Sequence, residues 1–519
     1  MAVRTWEIEA ANARIAARLA EVKDVTIKDY VRETQLSDLP RNVAYRVDGV
    51  HVYVDILNMD GMLGITATEG VDTHRRTLRF LNLHYRAVAR VLADVDAILV
   101  DFHNQRLHAV ITKPYGDEAQ RIHRAIALAQ LIIDVLNRTG EGGDDPLPAA
   151  IVRVGIDSGL ALAVNNGRRG HREPLFLGRP ANLAAKRAGN QPDPGIFVTY
   201  NLRAKLGLAA VTDEDLTPLT AQMISASQLQ AKLDITADSV VEAWQDDLKQ
   251  HPIRRFEFSG HTPPYRTLDL EVLAAASTRR QDAVSIYADI DNFTNYVARN
   301  IDDDERAKDV VRVLHVLRSE LDHVLTDDFA GVKVRFIGDC IHGLLVEGTA
   351  QTTDTSATIE TAALCTGAMR SSFKLALEAL RDAGIGCNLG LAVGFEYGPV
   401  AVTRLGIKGE LIRCAIGRAV LVSEGEQKLC AGTDSGFGPV ANKHAPAWLK
   451  NWFGAARRVA GVTYTAVVQK RDADMVSRAP ANASLLRPAA SVAAATSALS
   501  FPARSAVPVK PAGFAQCGT

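Results

Sequence analysis

RFIGDCIHGLL, residues 335–345, holds a single acid, Asp339, inside a run of strand-forming apolar residues. Gly338-Asp339 suits the tight turn of a hairpin, since both residue types tolerate the backbone angles such turns need. Asp339 is therefore either turn punctuation or a ligand, and the stretch alone does not choose. Moving outward, the same pattern occurs once more. VDFHNQRLHAVI (100–111) lies on VRFIGDCIHGLL (334–345) and shares Val, Phe and His in register.

The repeat extends along the chain, and a repeat decides a fold before any single motif does. VHVYVDILNMDGML (50–63) matches VSIYADIDNFTNYV (284–297): an apolar run, Asp, Ile, then a helix start. A helical pattern follows each, RTLRFLNLHYRAVARVLADV in the first copy and DVVRVLHVLRSELDHVL in the second, and then the hairpin. After a further helix come Gly-rich strands, VRVGIDSGLALAV (152–164) and CNLGLAVGFEYGPVAV (387–402). Glycine-anchored helices close the pattern, FLGRPANLAAKRAG (176–189) and AIGRAVLVSEGEQ (415–427). Each copy reads β-α-β-β-α-β-α, an α+β domain with an antiparallel sheet and helices on one face. The expected division is a helical lead-in over 1–45, a first domain over 46–275, a second over 280–475, and an Ala/Pro/Ser-rich disordered tail over 476–519. RRFEFSGHTPPYRTLDLEVL (254–273) reads as a β-rich close of the first domain.

Bulk properties exclude some classes. The 519 residues carry 59 basic and 60 acidic side chains, a net charge of −1, so no global field draws nucleic acid or an anionic membrane. Six cysteines at no zinc-like spacing, with no secretory signal, read as reduced thiols of a cytoplasmic protein. The most apolar helical stretch, AIALAQLIIDVL, contains Gln130 and Asp134 and is too short to span a bilayer.

In the second copy Asp289 ends a strand and the next residues start a helix, whose free N–H groups favour an anion such as phosphate. In a β-α-β-β unit that strand neighbours the hairpin, which sets Asp289 beside Asp339. Two carboxylates in one place repel unless a cation joins them. With the Ile290 carbonyl and phosphate oxygens they form the hard-oxygen set that Mg²⁺ or Mn²⁺ prefers.

These motifs (DIDNFT, FIGD, the Gly-rich strands and GRPANLAAK) together resemble the class III nucleotidyl cyclases, over most of residues 45–470. The resemblance implies two tandem ferredoxin-like βαββαβ domains forming an intramolecular pseudo-heterodimer, with sites built where the domains meet. It also implies that the copies are complementary. The second keeps both metal positions, Asp289 and Asp339, for two divalent cations, Mn²⁺ or Mg²⁺. The first keeps Asp55 but has Gln105 in place of the second acid. The first copy holds Asn182, matching the family Asn that positions the ribose. Its Lys186 stands where the family has the transition-state Arg, with Arg187 as an alternative. Leu421 and Gly425 fill those positions in the second copy. One composite site is complete and its mirror image is not. Triphosphate binding falls to Asn292, Phe293, Thr294 and Lys408.

For the base, the family positions in the first copy are Asp101 and Leu175, neither the adenine pair nor the guanine pair; Arg335 is the counterpart of Asp101. Asp101 could accept from uracil N3–H or from the cytosine amino group, with uracil the better fit to a carboxylate, and the pattern is most similar to the pyrimidine cyclases of the bacterial Pycsar anti-phage systems. That similarity implies conversion of UTP to 3′,5′-cyclic UMP and pyrophosphate, the product acting on a separate effector protein, with no nucleic-acid or membrane partner. Alternatives are a cytidylate or adenylate cyclase, or a non-catalytic nucleotide-binding regulator. Further self-association is left open.

Overall fold

The computed structural model describes residues 4–32, 34–36, 39–64, 68–142, 146–165, 174–189, 191–407 and 411–478. The tail expected from residue 476 lies outside the described residues from 479 onward, and Lys408 lies outside them too. Two units divide the chain after Ala473, and both sheets belong to the first.

Helix α1 (Ile8–Glu21) leads to β1 (Thr26–Asp29) and the long strand β2 (Val43–Ile56). Then follow α2 (Met59–Gly64), α3 (Val71–Val95), the hairpin β3 (Ile98–His103) and β4 (Arg106–Ile111), and α4 (Glu118–Leu136). The half continues through β5 (Val152–Val164), β6 (Leu175–Leu177), α5 (Arg179–Gly189), β7 (Gly195–Val198), α6 (Tyr200–Lys205), α7 (Ala221–Ala231) and α8 (Ala237–Gln250). The second half runs β8 (Phe258–Ser259), β9 (Thr278–Asp291), α9 (Phe293–Asn300), α10 (Asp304–His323), β10 (Val332–Ile337), β11 (Cys340–Leu345) and α11 (Thr355–Asp382). It ends with β12 (Gly390–Leu405), β13 (Ile412–Ile416), α12 (Arg418–Lys428), β14 (Asp434–Phe437), α13 (Pro439–His444), α14 (Ala447–Phe453), β15 (Arg458–Ala460) and α15 (Tyr464–Arg478).

The sheets share the order of their first four strands, β3-β4-β2-β5 and β10-β11-β9-β12; the first goes on to β6 and the second to β14 and β15. The α4, α10 and α11 starts are fixed by Asp117, Asp303 and Asp354, whose carboxylates accept from N–H groups three residues on. Glycine sets how closely the last helix of each repeat lies on its sheet. A Cβ on Gly155 would stand 2.1 Å from the Ala184 carbonyl of α5, and one on Gly394 would stand 2.2 Å from the Gln427 nitrogen of α12. These glycines occupy the same position in the two copies, and no other residue permits the approach.

The halves exchange parts. The tip of the β12–β13 hairpin buries Leu405, Ile412 and Ile416 in the first half's core. Leu162, Val164 and Leu177 of β5 and β6 enter the second half's core. Each large side chain so buried is worth about 1.5–3 kcal/mol. The leading helix crosses as well: in α1, Arg14 pairs with Glu320 at 2.7 Å and Asp328 at 2.9 Å, both in the second half. Within the first half, α8 packs on α3, where the Trp244 indole donates to the Leu83 carbonyl at 3.2 Å.

Two expectations are corrected. The lead-in over 1–45 is not helical throughout, since β1 lies within it and pairs in parallel with β2. Residues 254–273 do not form a β-rich close of the first half. Only Phe258–Ser259 is a strand, and it pairs with β9 of the second sheet. Tyr265, Leu268, Leu270 and Leu273 pack in a second-half apolar cluster. The buried alternation is real, but Pro263 and Pro264 lack the N–H groups a ladder needs, so turns carry it instead.

Candidate active site

Asp289 stands near the end of β9 opposite Ala392 of β12, and Ala288 beside it pairs with Ile341 of β11. The β10–β11 hairpin closes on the Ile337–Cys340 pair, so Gly338 and Asp339 form its tip. Gly338 takes φ 60°, and its counterpart Asn104 takes φ 50° in the same left-handed region. The turn reading of the Gly-Asp pair therefore holds, and the turn delivers Asp339 to Asp289. The Asp339 carboxylate accepts from its own N–H and from that of Ile290.

Burial, and then the charge of Asp289, pushes Asp339 well above the ordinary carboxylate range. Burial and Asp291 likewise raise Asp289, with Lys428 opposing. Two buried carboxylates, one of them raised by the charge of the other and backed by a strand carbonyl at Ile290, fit a divalent cation by the chemistry of the donor set. Among the described residues no cluster of three or more His, Cys, Asp or Glu side chains is arranged to hold a metal, so such an ion needs oxygens from another source as well.

Past Asp289 the chain turns through Asn292 at φ 65° into α9, whose first turn carries no side-chain cap. The Asn292 amide donates to the Asn388 carbonyl at 3.1 Å and accepts from Asn295 at 2.9 Å. Phe293 is buried in the second-half core. These two residues therefore offer an anion their backbone N–H groups rather than their side chains. Thr294 faces the other half: its hydroxyl accepts from the Asn182 amide at 2.8 Å. That bond brings α5 of the first half against the helix start that follows Asp289. Lys186 lies one turn beyond Asn182 and is exposed. Arg187 is committed elsewhere, buried between Glu214 at 2.9 Å and Asp215 at 2.5 Å.

The base positions separate. Leu175 pairs with Val164 in the exchanged arm and packs on the second-half core. The Asp101 carboxylate accepts from Arg335 of the second half at 3.0 Å. Arg335, the counterpart of Asp101 in the repeat, is thus its direct partner.

The mirror-image location is filled by a cluster that sequence reasoning missed. Arg106 Nε lies 3.2 Å from Asp55, and its Nη1 lies 2.6 Å from Glu424 of α12. Lys428 joins Glu424 at 2.6 Å. Burial pushes Glu424 up, but Arg106 and Lys428 outweigh it and hold the acid well below its usual range. A guanidinium thus sits on the one acid that the first copy kept. Leu421 packs on the first-half core, and Gly425 has open space around it, so the charge it lacks is a matter of chemistry and not of room. The available signal was Arg106 itself, standing where the other copy has Cys340.

Residues 276–418 match the Adenylate and Guanylate cyclase catalytic domain family. The chain is 53% identical over 466 residues to a uridylate cyclase of Pseudomonas aeruginosa, covering 89% of this chain and 90% of that protein. It is 39% identical over 440 residues to a uridylate cyclase of a Rhizobium species, covering 81% of this chain and 83% of the relative. The crystal structure of a class III adenylyl cyclase-like ATP-binding protein from Pseudomonas aeruginosa superposes with a TM-score of 0.88 at 52% identity, over 90% of this chain and 99% of that one. With such identity across nearly the full length of a relative, and this fold, the chain belongs to the class III nucleotidyl cyclase family.

Proposed function

We propose that the chain is a uridylate cyclase that turns UTP into 3′,5′-cyclic UMP and pyrophosphate at one composite site, its two halves working as an intramolecular pseudo-heterodimer. The observation that carries the site is the Asn182–Thr294 bond, which joins the ribose-positioning helix of one half to the anion-binding turn of the other. The choice of UTP rests on the relatives, both named uridylate cyclases.

In this reading Asp289, the Ile290 carbonyl and Asp339 hold two divalent ions, Mg²⁺ or Mn²⁺. When bound, such ions acidify the ribose 3′-OH and neutralise charge on the departing pyrophosphate. The N–H groups at residues 292–294 hold the triphosphate, with Lys408 on its β/γ end. Asn182 exchanges Thr294 for the ribose and aligns the 3′-OH with the α-phosphorus. Lys186 meets the charge that builds on the α-phosphate oxygens, as a point charge without the Arg fork. Leu175 forms an apolar wall for the base. The five described cysteines are unpaired, which supports a reducing, cytoplasmic setting. The cyclic product would signal to a separate effector in anti-phage defence.

A second reading, a cyclase that takes ATP, is favoured by the description of the Pseudomonas aeruginosa structure as ATP-binding. One assay separates them. Incubated with ATP, GTP, CTP and UTP plus Mn²⁺, the protein is expected to release cyclic UMP, identified by chromatography and mass. A cyclic purine as the main product would replace the uridylate reading, and no cyclic product would end the enzyme reading.

A further inference from the structure

The inner faces of the two sheets are near copies. Tyr53 stacks on His108 at 4.1 Å and 14°, and at the equivalent positions Tyr287 stacks on His342 at 4.3 Å and 12°. Arg46 of β2 donates to the Ile301 carbonyl and pairs with Asp304. Its counterpart Arg280 of β9 donates to the Glu69 carbonyl and to His74 in the first half. Both arginines therefore cross to the other half, and the Tyr–His stacks by themselves do not distinguish one half from the other.

One difference between the copies reverses the sign of the charge. Asp101 and Arg335 stand four residues before Gln105 and Asp339, at the same place in the repeat. In the structure they bond to each other at 3.0 Å, with side chains only 19% and 2% exposed. The same guanidinium donates to the Phe102 carbonyl of the first half and the Arg413 carbonyl of the second. If two first halves met by these faces, Asp101 would oppose Asp101; two second halves would oppose Arg335 with Arg335. Like charges in so dry a place repel strongly. A buried pair, by contrast, adds little net stability over an apolar one, so its use lies in specifying a partner or register.

We infer that the Asp101–Arg335 pair is a pairing code: it makes the inner face of the first half specific for the second half and rejects a second copy of itself. Arg106 and Glu424 reinforce the code, since the other copy has Cys340 and Ala185 at their positions. Each chain then builds one site in one register. The inference deepens the composite-site reading and rests on it.

The test uses the full chain without nucleotide. Asp101→Arg, Arg335→Asp and the double exchange are compared by thermal midpoint and by solution mass, and the four nucleotides are then supplied. Each single reversal is expected to lower the midpoint and shift part of the protein into self-associated species, and the exchange to recover most of both. If the reversals do not fold, the milder cycle of Asp101→Asn and Arg335→Gln must show the same non-additivity. An exchange no better than the sum of the single changes would overturn the code. So would an Asp101→Asn variant with unchanged midpoint and mass but altered nucleotide choice, which would make Asp101 a base contact. Failure of the composite site shows up separately, as an Asn182→Ala variant with full turnover.

Discussion

Asn182 and Lys186 occupy one face of α5, and among the described residues only the first is held by a neighbour, through Thr294. Removing a single group that stabilises transition-state charge commonly costs about 10²–10³-fold in rate. Lys186→Ala is therefore expected to lose turnover on that scale with its midpoint unchanged, while Lys186→Arg keeps or raises kcat by restoring the fork. Steady-state kinetics on the two variants checks this; equal rates for Ala and wild type would remove Lys186 from the site. Arg187→Ala belongs to another class. It strips the counter-ion from Glu214 and Asp215, so its loss should appear in the denaturation midpoint. Asp339→Asn should abolish turnover and weaken Mn²⁺ binding measured directly by titration calorimetry, since one of the two carboxylates would be gone.

At the scale of elements, the two hairpins have the same turn and different contents. Gly338 and Asn104 both sit at positive φ, so the β10–β11 and β3–β4 tips turn through the same left-handed region. After that turn one copy presents Asp339 and Cys340, the other Gln105 and Arg106. Arg106 ties β4 to α12 through Asp55 and Glu424. Truncating one member of a buried charge cluster leaves its partners uncompensated, and Arg106→Ala is expected to cost about 3 kcal/mol of stability. Chemical denaturation measures the loss. In the composite-site reading this location holds no ion, so titration calorimetry should find the same number of Mn²⁺ bound. A variant as stable as wild type would show that the cluster is ornamental.

For the whole molecule, buried histidines set the response to acid. Burial pushes His51 and His103 down to about 3 and His84 to about 4, and holds His108 and His342 well below the usual imidazole value. Their folded-state values lie below the unfolded one, so the unfolded chain binds more protons in mild acid. The stability they contribute is fully present above about 6.5 and drains away as pH falls toward the folded values. Between about pH 7.5 and about pH 5.5 each such histidine gives up roughly 1 kcal/mol. Urea midpoints across that window should fall steeply as the pH drops. His108 and His342 pack against the inner-face tyrosines, so the meeting of the halves is expected to loosen early. A midpoint that does not move would mean these rings are already charged in the fold.

The repeat, its order of strands and helices along the chain, and the placing of Asp339 at a hairpin tip beside the strand of Asp289 were legible in the sequence, because each depends on local periodicity and on turn chemistry at fixed spacing; the part given to Asn182 came from the family resemblance. The charge missing from the mirror site was legible too, at Gln105, Leu421 and Gly425. What the sequence could not supply was contact between residues far apart in the chain. Arg106 meets Glu424 across 318 positions and Arg335 meets Asp101 across 234. Side-chain type fixes what a guanidinium can bond, and only the packing of one half on the other decides which carboxylate it finds. The same holds for residues 254–273, whose alternation signals burial while the prolines and the second sheet decide its form. Local pattern thus determined the parts and their chemistry, and the exchange of helices and hairpins between the halves determined which parts face one another.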